Sequence, residues 1–287
     1  MTVKNNIRIL VLILIMINID YKIILAQNNF KILSYNVLYG LQNDSLIKKD
    51  YIKWVNSISP DIVAYQEMNS FTQKSLEQFA LLYGHPYAVL SKTEGFPVAL
   101  TSRYPIVDVQ KVVDNMHHVY LYANVKNINI FVIHFSPFSY QKRQFEVTEV
   151  LARAALISNK ERIIIMGDFN SLSRSDSSEY NEDALNAQII REKKENHIRN
   201  LKDGKFDYSV TNSMEDAGYK DLVRGSHSDF QFSVPTKKYG EKYLKRIDFI
   251  WVNSRFKKDA ISADIIRDEV TNRISDHYPV LATFRLK

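Results

Sequence analysis

The chain has 287 residues, of which 45% are hydrophobic and 24% charged, a balance that suits a soluble protein with a sizeable core. It has no cysteine, which excludes disulfides, thiolate metal sites, a thiol nucleophile and a lipid anchor on cysteine. Its 8 glycines form no phosphate-cradling loop, and its net charge of +6 suits a polyanionic partner without requiring one.

Residues 1–26 read as a signal peptide. Lys4 and Arg8 precede an apolar run over 9–19, and Ala26 offers a small residue before a cut, although Ile24 departs from the usual pattern. The run is short for a membrane span, and Asp20 and Lys22 would be costly inside one, so cleavage is favoured over a retained anchor. Loss of Lys4, Arg8 and Lys22 against Asp20 leaves a charge of +4. The protein is therefore expected to be secreted or periplasmic.

Along the mature chain, strands are expected at 30–37 (FKILSYNV), 61–66, 98–101, 106–113, 119–125, 128–135, 162–166, 247–252 and 280–285. The segment RIIIM at 162–166 is apolar throughout its centre, as a strand buried on both faces would be. Helices fit 45–57, 71–83 and 141–158. In the last, Phe145, Val150, Leu151, Ala154 and Ile157 recur at helical spacing. Residues 171–246 are the least regular part and hold a charged stretch at 188–200, whose Lys193, Lys194 and Arg199 read as a solvated helix face. The expected organisation is one domain over 27–287, with two packed sheets, helices outside, and 171–246 inserted between core strands.

Polar residues recur just after the strand patterns, where loops carry chemistry. Asn36, Glu67 and His134 sit at strand ends. Asp168 and Asn170 follow RIIIM, Asp248 opens a later strand, and Asp276 and His277 precede the last one. Singly, each has a bland reading: a turn or cap for Asn36, an edge residue for Glu67, an Asx-type turn for 168–170, a packed loop histidine for His277, and a surface ion pair with Arg246 for Asp248. Seven motifs in order make a stronger case: SYNVLYG (34–40), AYQEM (64–68), SRYPI (102–106), IHFSPF (133–138), MGDFN (166–170), RIDFIW (246–251) and SDHYPV (275–280). In these the chain resembles the endonuclease/exonuclease/phosphatase superfamily, which includes DNase I-like nucleases, exonuclease III-like repair enzymes, neutral sphingomyelinases and inositol polyphosphate 5-phosphatases.

The resemblance implies a four-layer α/β/β/α sandwich of two packed, mostly antiparallel sheets flanked by helices. It implies phosphoester hydrolysis with Mg2+ or Mn2+, which suit oxygen ligands. Glu67 would be a metal ligand, Asn36 a neutral metal ligand or phosphate holder, and Asp276 a further metal ligand. His277 would be a base or phosphate ligand oriented by Asp248. Asp168 would orient or deprotonate the attacking water, Asn170 would bind a phosphate oxygen, and His134 would contact the phosphate or protonate the leaving oxygen. The DNase I-like and sphingomyelinase-like branches carry histidine at the position of His134, whereas the exonuclease III-like branch carries tyrosine. Arg103 and Tyr140 are candidate substrate-binding residues, and the segments 83–87 and 135–140 are candidates for a cleft lining. His117 and His118 are not expected to share a metal, because neighbours on a strand face opposite sides.

The expected activity is that of an exported phosphodiesterase, acting as a monomer with no obligate protein partner. Nucleic acid, a lipid head group and a small phosphodiester all remain open as substrates. A relative that serves only as a binding module would lack one of Glu67, Asp168, Asp248 or His277, and all four are present.

Overall fold

Strand alternation decides which face of a sheet each residue serves, and here the central strands of both sheets are buried on both faces. The computed structural model describes residues 29–240 and 242–286, so the signal-peptide segment 1–26 lies outside the described residues. Among the described residues no helix is long and apolar enough to cross a membrane.

The first half of the chain supplies β1 (Asn29–Asn36), α1 (Ser45–Ile58), β2 (Ile62–Gln66), α2 (Gln73–Leu81), β3 (Tyr87–Leu90) and β4 (Ala99–Ser102). It continues with β5 (Val107–Val112), β6 (Val119–Val125), β7 (Ile128–His134), α3 (Tyr140–Ala154) and β8 (Arg162–Asp168). The rest contributes α4 (Glu182–Lys194), the short β9 (Leu201–Lys202) and β10 (Lys205–Phe206), α5 (Ser209–Asp216), β11 (Lys220–Asp221), β12 (Asp248–Val252), β13 (Ala260–Ile265) and β14 (Val280–Arg285). Two six-stranded sheets result, in the orders β13-β14-β1-β2-β4-β3 and β11-β12-β8-β7-β6-β5.

Each sheet is antiparallel except for one central parallel pair, β1 with β2 and β7 with β8. A parallel pair needs a crossover, and α1 and α3 supply it. One helix layer therefore lies outside each sheet, which gives the expected α/β/β/α sandwich. In β8, Ile164 and Met166 enter the core between the sheets, whereas Ile163 and Ile165 pack on the outer side with Val147, Val150 and Ala154 of α3. In β1, Ile32 faces the inter-sheet core and Leu33 and Tyr35 face Tyr51, Trp54 and Val55 of α1. RIIIM is apolar throughout because it serves two cores at once.

Several local expectations shift. β3 and β13 were not expected. β3 is short and follows Pro86, and β13 interleaves exposed residues with Ala263 and Ile265. The charged helix starts at Glu182 rather than at 188, because the Asn181 side chain accepts from Ala184 N at 3.0 Å and caps it there. It stops at Lys194, before the expected 200. Phe145 is 54% exposed, since Val147, Val150 and Ala154 set the buried stripe of α3 instead. The 83–87 segment, expected at a cleft, is tied to the first sheet through His85. His85 is fully buried under the first sheet, with Nδ1 2.9 Å from Thr101 Oγ1 and Nε2 2.9 Å from the Pro60 carbonyl.

Burial pushes the His85 pKa down to about 4, partly offset by the Pro60 carbonyl. The unfolded chain takes up that proton near pH ~6.5 and the folded protein only near 4, so the unfolded state binds more protons between those values. His85 thus contributes stability that is complete above the unfolded value and lost as pH falls toward the folded one. The thermal midpoint is expected to drop as pH falls through that window, and His85→Gln is expected to flatten part of the drop. An unchanged pH slope in the variant would assign the drop to other groups.

Candidate active site

The two parallel pairs place four strand carboxyl ends at one edge of the sandwich, and the polar motifs sit there. Asn36 ends β1, Glu67 follows β2, His134 ends β7 and Asp168 ends β8. Asn36, His134 and Asp168 continue the rows of Ile32, Val132 and Met166, so they face the space between the sheets. Asp248 opens β12 directly opposite Asp168 in the ladder. A one-residue slip in either register would turn these side chains to the outer face. Gly167 lets β8 pass close to β7: at φ +141°, a Cβ there would lie 2.0 Å from the Ile133 carbonyl oxygen.

The loops are tied down by specific hydrogen bonds. Ser275 Oγ donates to the Asn36 carbonyl at 2.8 Å and accepts from His277 N at 3.2 Å, which joins the His277 loop to β1. Ser233 Oγ accepts from Ile247 N and Asp248 N at 3.1 and 3.2 Å. Glu67 has a φ of 62°, held by Gly40 N donating to its carbonyl at 2.6 Å and Tyr39 N donating to Oε2 at 3.1 Å. Asp168 Oδ1 accepts from Asn170 N at 2.8 Å, so the Asx turn exists and shapes the site. Arg246 does not pair with Asp248. It is 1% exposed and bonds Asp176 at 2.8 Å and also Asp221, which anchors the inserted segment beside β12.

His277 Nδ1 lies 2.8 Å from Asp248 Oδ2, and its Nε2 lies 3.8 Å from Asp168 Oδ2. Asp168 Oδ2 is also 3.5 Å from His134 Nε2 and accepts from Asn36 Nδ2 at 3.2 Å. The same amide group donates to Glu67 Oε1 at 3.2 Å, while Asn36 Oδ1 accepts from Leu38 N at 3.2 Å. Asn36 therefore turns its NH2 to both carboxylates and its oxygen to the backbone, a bridging role rather than that of a free oxygen ligand. Burial opposes charge on His277, yet the Asp248 and Asp168 carboxylates outweigh it and push the imidazole well above its ordinary range. Burial pushes Asp168 up to about 7 against the lowering effect of His277, with Asp248 adding to the rise. Burial also raises Glu67 and, with the neighbouring histidines, holds His134 well below its ordinary range and therefore neutral.

Asp168, Asp248 and His277 form a buried group whose ligand atoms lie within 4.8 Å of one another and could hold a metal. Glu67 adds a further carboxylate, and Asp276 stands close enough for its charge to act on both Glu67 and His277. The carboxyl groups of Glu67, Asp168, Asp248 and Asp276 outnumber the single imidazolium of His277, even with Asp168 pushed up to about 7, and a divalent cation would balance the excess negative charge.

A cavity of about 450 Å³ opens over this group, with Glu67, His134, Asp168, Asn170 and His277 in its wall. Tyr39, Phe96, His118, Phe138 and Lys92 also line it, and of these only Phe138, in the 135–140 segment, is expected at a cleft from the sequence. His117 and His118 lie before β6 rather than within it, so strand alternation does not separate them. Their rings meet at 4.5 Å, and His118 stacks on His134 at 4.2 Å. Two expected substrate residues fall elsewhere. Arg103 donates to Ser59 Oγ at the opposite end of β2, because β4 runs antiparallel to β2. Tyr140 opens α3, with its N–H on the Arg199 carbonyl at 2.9 Å, and is not part of the cavity wall.

The model of the endonuclease/exonuclease/phosphatase family matches residues 33–277. The chain belongs to that family. No curated protein sequence matches it. Among solved structures, this endonuclease/exonuclease/phosphatase family member is similar to an AP endonuclease from Archaeoglobus fulgidus, at 18% identity and a TM-score of 0.65 over 90% of this chain and 100% of that one. A 3' phosphatase from Neisseria bound to a product DNA hairpin matches at 19% identity and a TM-score of 0.65, with the same coverage. An endonuclease/exonuclease/phosphatase from Beutenbergia cavernae matches at 13% identity and a TM-score of 0.64, over 90% of this chain and 72% of that one. What these share with the chain is the fold; membership of the family identifies it as a hydrolase acting on phosphoester bonds.

The Asp248 carboxylate is one of the two charges that hold the His277 imidazole protonated. In metal-free Asp248→Asn protein, the His277 ring followed by proton NMR is expected to titrate at lower pH than in the native protein. An unmoved titration would show that Asp248 does not set the charge of His277.

Proposed function

We propose that the protein is an exported, divalent-metal-dependent phosphodiesterase. The observation that carries this is the Asp248–His277 pair facing Asp168 across a cavity whose wall also contains Glu67 and Asn170. Mg2+ or Mn2+ on Glu67 and the neighbouring carboxylates would neutralise the phosphate and polarise its P–O bonds. The chain's own groups then divide the remaining work. The imidazolium of His277, fixed by Asp248, donates to a phosphate oxygen and stabilises the charge that grows there. Asp168, whose pKa burial pushes up to about 7, accepts in its carboxylate form the proton of the attacking water as the new P–O bond forms, and the leaving oxygen departs with the electron pair of the broken P–O bond and takes up a proton from solvent. Asn36 holds Glu67 and Asp168 in register. Neutral His134 offers an N–H rather than a charge, which suits contact with a phosphate oxygen.

Nucleic acid is the substrate class with a specific observation behind it. The rings of Tyr39, Phe96 and Phe138 line the cavity beside the catalytic group, where unstacked bases could rest on them. The Neisseria 3' phosphatase is seen bound to a DNA hairpin, which supports the same reading. The test is hydrolysis of bis-p-nitrophenyl phosphate, plasmid DNA, RNA, sphingomyelin and phosphomonoesters, with Mg2+ or Mn2+ and with chelator. Diester cleavage is expected with metal and is expected to vanish with chelator. Asp168→Ala and His277→Ala are each expected to lose about 10²–10⁴-fold in rate with an unchanged melting temperature. Near-native hydrolysis by folded Asp168→Ala would overturn the assignment.

Export rests on the charge and apolar pattern of residues 1–26. Mass spectrometry of the protein from its own cells is expected to find the mature chain starting at Gln27 outside the cytoplasm. A cytoplasmic protein with an intact Met1 end would exclude export.

A further inference from the structure

A second cavity, of about 190 Å³, adjoins the catalytic one, and Asn170 and Pro137 line both. The reaction described above does not use it. Most of its wall comes from the inserted segment, and three cationic side chains reach it: Arg143 from α3, Arg191 from α4 and Lys245 from just before β12. The carboxylate in its wall, Asp207, already accepts from the Ser209 N–H and hydroxyl at 3.2 and 2.7 Å.

The cations are poorly matched. Arg143 is 3% exposed; its Nη1 donates to the Ser136 carbonyl at 3.0 Å and to Asn200 Oδ1 at 2.7 Å, while its buried Nε has no hydrogen-bond partner. The Lys245 ammonium makes no hydrogen bond or ion pair among the described residues. Burial and the neighbouring Arg191 charge both push it below its ordinary range. Arg191 has a carboxylate only at Nε, 3.3 Å from Glu195 Oε1. The Asp207, Glu146, Asp168 and Glu192 carboxylates act on Arg143 and Glu195 pairs with the half-exposed Arg191, so Lys245 is the cation left without an anion, a cost that the charge of a ligand would relieve.

We propose that this cavity is a subsite for a second phosphate of the substrate, one linkage away from the scissile phosphodiester. The inference rests on the phosphodiesterase reading and narrows it. A phosphate monoester carries up to about two charges and three acceptor oxygens, which suits an Arg and Lys donor set better than an internal diester does. The volume holds one compact group, so the preferred substrate is a short phosphodiester with a terminal phosphate. Asn170, shared by both cavities, stands between the two phosphates.

The test compares the thymidine dinucleotides TpT, pTpT and TpTp, with bis-p-nitrophenyl phosphate as a substrate that lacks a second anion. Native enzyme is expected to favour one of the phosphorylated dinucleotides over TpT by about tenfold or more in kcat/KM, chiefly through KM. The Lys245→Met, Arg191→Gln double variant is expected to lose that preference and keep its rate on bis-p-nitrophenyl phosphate. Equal kcat/KM on all three dinucleotides, or a preference that survives in the double variant, would overturn the subsite. Calorimetric binding of the three dinucleotides to Asp168→Ala protein, with and without the double substitution, makes the same comparison without turnover. If native protein hydrolyses nothing yet binds the phosphorylated form more tightly through Lys245 and Arg191, the phosphodiesterase reading fails and the subsite stands. Equal binding removes the subsite.

Discussion

The fold and the site both depend on one constraint: each sheet contains a single parallel pair, and the carboxyl ends of the two pairs meet. A parallel pair cannot be closed by a hairpin, so α1 and α3 must cross over outside the sheets. That crossing produces the four layers. It also brings the carboxyl ends of β1, β2, β7 and β8 to a common edge, where the ladder is finished and polar side chains are free to turn toward one another. Asn36, Glu67, His134 and Asp168 occupy those ends. The two cores on either side of β8 hold its register, and the register in turn holds Asp168 opposite Asp248.

At that edge the protein tolerates an electrostatic arrangement that would be unfavourable elsewhere. Carboxylates crowd a buried space, with one charged imidazole, His277, and one neutral imidazole, His134, among them. The basic residues nearest in sequence are engaged elsewhere: Arg246, two positions from Asp248, is committed to Asp176 and Asp221. The surplus is what makes the group fit a divalent cation; burial, with the Asp248 charge adding to it, raises the Asp168 pKa, and the Asp248 and Asp168 carboxylates keep His277 charged. Asn36 lowers the strain by donating to two carboxylates at once. Beside this acidic centre, Arg143, Arg191 and Lys245 collect on the far side of the shared Asn170. In the proposed reading, the negative catalytic group would hold the metal and the positive neighbour a second phosphate of the substrate.

Legibility in the sequence followed a physical pattern. Strands buried on both faces, such as β8, announce themselves because every position is apolar. Short strands with one wet face do not, and β3 and β13 were missed for that reason. The start of α4 was misplaced because Asn181, a local cap, outweighed the run of charge further along. The polar residues at the ends of long strands were visible as a set because motif order survives when overall identity is low. The aromatic wall was largely hidden: Tyr39 and Phe96 look like any other ring in the sequence, and no local pattern says that a ring borders a cavity. His117 and His118 escape the strand alternation expected to separate them, because β6 begins at Val119.

The sequence by itself determined the layered architecture, the family and the set of polar residues at the strand ends. These depend on local periodicity and on short motifs, which the chain carries in order. Only the tertiary structure decided which of those residues touch: that Asp248 orients His277, that Asn36 presents its amide NH2 to two carboxylates, and that Arg103 lies at the opposite end of the sheet. Contacts of this kind join residues from 29 positions apart, as Asp248 and His277 are, to 132, as Asn36 and Asp168 are. They are set by strand register and by burial, which no window of sequence contains. The cation-lined cavity belongs to the same class, since α3, α4 and the approach to β12 each bring one charge and only packing makes them neighbours.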